Sequence, residues 1–471
     1  MNDYDFTVEG TYEGDWKFPM CNETVYGTLI IEKELITLRV LIPKGLPWKC
    51  HTNIDVKGKA FRRKITKRLK NLEFHFLLQN LRVLQFGNSS STYNEITFDV
   101  QEAFISIEPD INFSAINSCI IRTELLDKWC WEHIGSSYIH NSIDAGAEQD
   151  LVYKQKEPYT CFQDKEGKIV LYFGTQTIHP SVNGFRIMNK CFLNILFNEK
   201  QDFEYANIFA ERVWHLFSLL WNVAYEPDYI EFKTTDNRFI YIQNGAKCEH
   251  RSRDAEYVLF SELQDFTQQD LEVVIKEWLV LYENKPEAIR LYVETALNER
   301  LSSKNIIKNL VSVIDGLTEN VETEGISKSP AKVRKINELL NKCDQLSKNE
   351  RNEIITGYLR ESGSELKPRF RKALLEMKEY PPYRYIIEVL SKKKEKSVED
   401  IKEDEVIYDF VDCIVDTRNY LTHPKTPKCN LILSELYSEH AYVLQKILQV
   451  YLLQKIKVSS DVISKVCQMF P

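Results

Sequence analysis

The chain has no run of about 18 apolar residues, so nothing in it reads as a membrane-spanning helix. Its first residues, Met1-Asn2-Asp3-Tyr4-Asp5, are acidic and lack the apolar core of a secretory signal, which makes the cytoplasm the expected location. Cysteine is present at 11 positions, but the number is odd and no two form a C-x-x-C pair. That pattern excludes an obvious disulfide framework and fits reduced thiols. Cys413, His423, Cys429 and His440 fall in one short region, yet their spacing matches no zinc motif, so no metal or other cofactor is expected. Excess positive charge is missing too. The net charge is −8, which confines any nucleic-acid contact to local patches. No internal repeat of fixed period is present.

What remains is an ordinary globular composition, 43% hydrophobic over 471 residues, enough for two or three domains with sizeable cores. The first half reads as β-rich. Two apolar-alternating runs, 25–32 and 35–42, flank Lys33-Glu34 and predict a hairpin. Short strands are expected at 95–100 and 103–108, and another pair around Asp164-Lys165-Glu166-Gly167-Lys168, where Gly167 could take positive φ. One helix, 203–224, interrupts this half, with Ile208, Phe209, Val213, Leu216, Phe217 and Leu220 at helical spacing.

After about residue 255 the periodicity becomes helical. Helices are expected over 270–283, 286–301, 305–322, 332–346, 348–359, 368–377, 405–422 and 431–457. The expected class is therefore α+β, with a β-rich domain of one or two subdomains at 1–255 and an all-α bundle at 256–471.

The densest chemistry is Asp416-Thr417-Arg418-Asn419-Tyr420-Leu421-Thr422-His423-Pro424, at the end of an amphipathic helix. Arginine offers a permanent planar cation for phosphate, and histidine can trade protons near neutrality. Arg418 and His423 stand five positions apart, about 140° around an ideal helix at ~100° per residue. Because Pro424 disfavours the helical conformation before it, His423 is expected to leave the helical path and swing toward Arg418. Cleaving RNA by internal attack needs a base for the 2′-OH, an acid for the departing 5′-oxygen, and stabilisation of the charged phosphorane. One Arg and one His do not fill all three roles. A two-fold homodimer would bring two copies of each to one cleft.

This run resembles the R-N-x-x-x-H signature of HEPN ribonucleases. The spaced Phe6, Gly10, Trp16, Pro19 and Gly27-Thr28-Leu29 resemble the β-rich N-terminal domain of ApeA-type phage-defence proteins, and the C-terminal half resembles their HEPN domain. The resemblance implies an endoribonuclease that blocks phage propagation by cutting host RNA, tRNA among the candidates, with the N-terminal domain sensing a phage-derived trigger or restraining the nuclease. It implies Arg418 and His423 as the catalytic pair and Asn419 as the usual polar companion. Asp315 is the candidate for the acidic residue that such domains often carry on an earlier helix, where glutamate is the commoner choice. A tyrosine two residues beyond the histidine, found in some toxin-type relatives, is replaced here by Lys425.

Lys59, Arg62, Arg63, Lys64, Lys67 and Arg68 belong to the densest basic run, which could grip an RNA backbone or form a solvated face. Lys367, Arg369, Arg371 and Lys372, and separately Lys392-Lys393-Lys394, are smaller candidates. The rival to an enzyme is a non-catalytic RNA-binding or phage-sensing scaffold whose helical domain mainly oligomerises.

Overall fold

The computed structural model describes residues 8–19, 21, 23–32, 35–44, 54–62, 73–88, 90, 92–130, 157–178, 186–221, 227, 229–243, 261–297, 301–319, 338–340, 342, 346–347, 349–351, 366–381, 383–384, 386, 403–423 and 431–468. It divides into two compact units: Met1–Trp214, Tyr225–Tyr257 and Glu262–Glu272 form the first, and His215–Ala224, Val258–Ser261 and Val273–Pro471 the second.

In the first unit, β1 (Gly10–Lys17), β2 (Thr24–Glu32), β3 (Leu35–Pro43), β4 (Ile54–Arg62), β5 (Glu73–Asn88) and β6 (Tyr93–Asp99) pair in the order β4-β1-β2-β3-β6-β5. Because β5 also pairs with β4, these six antiparallel strands close into a barrel. Closure leaves no free edge among them. The alternation that predicts the β2–β3 hairpin also fills the barrel: Val25, Leu29, Ile31, Ile36, Leu38, Val40 and Ile42 are buried. On β4 the same period sends Val56 and Ala60 inward and Lys57 and Lys59 outward. Inward-facing Gly58 makes room for the buried Trp16 indole, since a Cβ there would lie 2.1 Å from its ring.

Strands β7 (Glu102–Ser106), β8 (Ile116–Arg122), β9 (Tyr159–Gln163), β10 (Gly167–Ile178), β11 (Arg186–Gln201), β12 (Tyr229–Thr234) and β13 (Arg238–Gln243) extend the sheet in the order β7-β13-β12-β8-β11-β10-β9. The expected turn at 164–168 joins β9 to β10, with the Asp164 carboxylate accepting the Glu166 and Gly167 amides at 2.8 and 3.0 Å. Gly167 is not in the left-handed region, however. It is required by close approach, because a Cβ would sit 2.2 Å from the Leu196 carbonyl oxygen.

A short helix that the periodicity did not reveal, α1 (Glu124–Trp129), follows β8 and is tied to it by Arg122, which donates to Asp127 at 2.7 and 3.0 Å. The expected helix, α2 (Phe203–Trp221), seats Phe203 among Phe104, Phe232 and Tyr241 at centroid distances of 5.1, 5.1 and 5.2 Å.

The second unit is helical. The helices α3 (Gln268–Asn284), α4 (Pro286–Leu297), α5 (Ser303–Thr318), α6 (Leu366–Glu376), α7 (Glu403–Thr422), α8 (Tyr437–Lys455) and α9 (Ser460–Gln468) are described. Pro286 opens α4 where its missing N–H costs nothing. The helix expected over 431–457 begins only at Tyr437, after a 3-10 turn at Ser434–Leu436. Lys457, at φ 62°, ends it, and α9 then follows unanticipated. Most of 332–359 lies outside the described residues. The molecule is thus α+β, as expected. Among the described residues no helix is long and apolar enough to cross a membrane.

Candidate active site

The site is built on α7. Its apolar stripe, Val406, Ile407, Phe410, Val411, Ile414 and Val415, is buried and fixes which way the helix faces. Asp412 and Asp416, four residues apart, share a flank of this helix, and Lys367 and Arg371 share a flank of α6 in the same way. The two pairs interlock. Lys367 Nζ lies 3.2 Å from Asp412 Oδ1 and 2.9 Å from Asp416 Oδ1, while Arg371 Nη2 donates to Asp412 Oδ1 at 2.8 Å. The Arg371 guanidinium also lies 4.0 Å from the centroid of Tyr408, one turn before Asp412.

Beside Asp416, the buried Thr417 accepts the Ile432 amide at 2.9 Å, which fastens the chain beyond the motif back onto the helix. The turn that carries Arg418 is therefore held by an ion-pair ladder and by this hydrogen bond.

Arg418 Nη1 donates to Asn419 Oδ1 at 3.1 Å, and Thr422 Oγ1 donates to the Arg418 carbonyl at 2.8 Å. In this arrangement Asn419 orients the arginine rather than the histidine. The His423 amide donates to the Asn419 carbonyl at 2.8 Å. His423 thus stays in the helical hydrogen-bond ladder at its backbone N–H, and the expected departure from the helical path is not seen there. Pro424 lies outside the described residues. Arg418 and Asn419 are half-buried and His423 is exposed. Among the described residues no hydrogen bond joins the Arg418 and His423 side chains. The helix end presents a cation, an amide and an imidazole, with only the first two engaged to each other.

The remaining predicted residues are placed differently from one another. Asp315, on α5, accepts Arg369 Nη2 at 2.5 Å, so its carboxylate is occupied by an interhelix ion pair. Arg369 and Arg371 are buried, 5% and 3% exposed, and bound to Asp315 and Asp412. A phosphate grip by these two does not fit that burial: they cross-link α6 to its neighbours. Lys372 is half-buried. On the barrel, exposed Lys59 stands 3.6 Å from Glu73. Arg62 donates to the Glu9 carbonyl and lies 5.8 Å from the Tyr12 centroid, so it ties β4 to the start of β1. Arg63, Lys64, Lys67, Arg68 and the lysines at 392–394 lie outside the described residues. Lys367 was anticipated only as part of a basic patch, and Asp412, Asp416 and Thr417 were not anticipated as site residues. For Lys367, Asp412 and Asp416 the signal was the matched i, i+4 spacing of opposite charges on two helices; Thr417 gave none.

Residues 309–462 match the family model of the Apea-like HEPN domain, which supports an Apea-like HEPN domain over that segment. The match begins within α5 and runs into α9, and it includes the ion-pair ladder and the motif. No curated protein and no solved structure matches the chain.

Proposed function

We propose that this protein is a metal-independent endoribonuclease acting in anti-phage defence, with RNA, and tRNA in particular, as its substrate. The observation that carries the reading is the Arg418-Asn419…His423 arrangement at the end of α7, inside the segment that matches the Apea-like HEPN model. In the reaction His423 removes the 2′-OH proton. The 2′-oxygen attacks phosphorus, and the 5′-oxygen departs with a proton from a second acid. Arg418 binds the phosphate and offsets the charge that builds on it, with Asn419 holding the guanidinium in place.

A single copy of the motif supplies one imidazole, so the second acid is His423 of another copy, at a two-fold interface where the α7 ends meet. The exposure of His423 at a helix end suits such sharing. The β-rich region over 1–255 is the natural sensor or restraint for this nuclease.

The test is incubation of the purified protein with total tRNA in EDTA, followed by end-group analysis. Fragments with 2′,3′-cyclic phosphate and 5′-hydroxyl ends are expected. Cleavage that needs a divalent cation would reject the metal-independent mechanism, and defence that survives both Arg418→Ala and His423→Ala would reject the enzyme in favour of a scaffold.

A further inference from the structure

The start of α8 is fastened to two helices at once. Ser438 and Ser303 share a hydrogen bond of 3.0 Å, and Ile432 binds Thr417 as described above. Between these ties stands Tyr437, half-buried, with Lys304 Nζ 5.5 Å from its ring centroid. Burial raises the Tyr437 phenol pKa, and Tyr420 and Cys413 of α7 raise it further, which puts those groups within electrostatic reach. Along α7, positions 413, 416, 420 and 423 follow one another at three- and four-residue steps, so Tyr420 and His423 share a flank. Lys304 and Lys308 are exposed one turn apart on α5. Two tyrosines and Lys304 therefore gather at the end of α7 that bears the motif, in a protein of net negative charge.

We propose that Tyr437, Tyr420 and Lys304 form a subsite for one unpaired nucleotide of the RNA, next to the scissile phosphate. The base stacks on tyrosine and the Lys304 ammonium takes a flanking phosphate. This rests on the ribonuclease reading and names the form of substrate it requires. Aromatic rings hold bases of any identity by their faces, and a lysine on a flexible stem can move its charge from ring to phosphate. Duplex RNA buries its base faces and cannot use such a platform. The subsite thus selects single-stranded segments such as loops and ends.

The experiment uses the full chain carrying His423→Ala, so that binding is read without cleavage. Fluorescence anisotropy is recorded with a labelled single-stranded RNA and with a duplex of the same sequence. Tyr437→Ala is expected to weaken single-strand binding by roughly 5- to 100-fold, the value of one stacked base, and to leave duplex binding unchanged. Tyr437→Phe should bind normally, because it keeps the ring. Lys304→Ala should lower the salt dependence of binding by about one ion. Single-strand binding unaffected by Tyr437→Ala, or weakened equally for both RNAs, overturns the subsite alone. Failure of the His423→Ala protein to bind any RNA overturns the ribonuclease reading along with it.

Discussion

Replacing Asp412 by alanine probes the ladder that holds the motif helix. Asp412 is 5% exposed and accepts from Arg371, itself 3% exposed, at 2.8 Å. Its removal takes away the carboxylate that accepts from the buried Arg371 Nη2, whereas Lys367 keeps Asp416 at 2.9 Å. Breaking a buried pair from one side costs about 3–5 kcal/mol. At ~2–4 °C per kcal/mol for a unit of this size, the helical unit should melt roughly 6–20 °C lower. The assay is thermal unfolding followed by circular dichroism at a helix wavelength, which weights the second unit. Replacing both partners by apolar groups, Asp412→Leu with Arg371→Met, should recover most of the loss, because no charge is then stranded. A loss below about 1 kcal/mol for Asp412→Ala, typical of an exposed pair, would refute the claim that this ladder is a buried structural clamp.

Two further outcomes are expected. Gly58→Ala should destabilise the barrel by about 1–3 kcal/mol in urea titrations, because its Cβ would collide with Trp16. Gly87→Ala, with nothing within 4 Å of its Cβ, should change stability by no more than about 0.5 kcal/mol, and equal effects at both positions would contradict the packing described. Burial lowers the Lys446 pKa to about 8, so the unfolded chain binds more protons than the folded one between pH 8 and the ordinary lysine value. The cost of burying that cation is fully present below pH 8 and is relieved as pH rises. Lys446→Met should therefore stabilise the protein most at neutral pH, with the gain shrinking from pH 8 to 9.5 in parallel unfolding curves. A gain independent of pH would show that Lys446 does not titrate as described.

The α+β division was legible because period two and period 3.6 each held over long runs. The apolar face predicted on α2 is largely the one buried, through Phe209, Val213, Leu216, Phe217 and Leu220, since a stripe at helical spacing has only one way to face a core. Barrel closure was not legible. It depends on β4 meeting β5, and in the sequence β4 reads first as a basic run, Lys57 to Arg62, whose alternating inward residues are small. Helix α9 escaped because Lys457 breaks α8 without a glycine or proline to mark the stop. The motif itself was legible from residue type and spacing. What positions it was only half so: the charge pairs on α6 and α7 are visible as i, i+4 spacings, but nothing local tells which helix faces which. For that reason Arg369 and Arg371 read as surface cations, although their carboxylate partners lie 54 and 41 residues away.

The most direct measurement is tRNA cleavage in EDTA by the unsubstituted protein, by Arg418→Ala, by His423→Ala, and by the two variants co-expressed so that they can pair. The account predicts cyclic-phosphate fragments from the unsubstituted protein, and none from either variant alone or from the mixed pair, whose shared cleft holds one imidazole where the reaction uses two. Undiminished cleavage by His423→Ala, or no cleavage by any preparation, would contradict it.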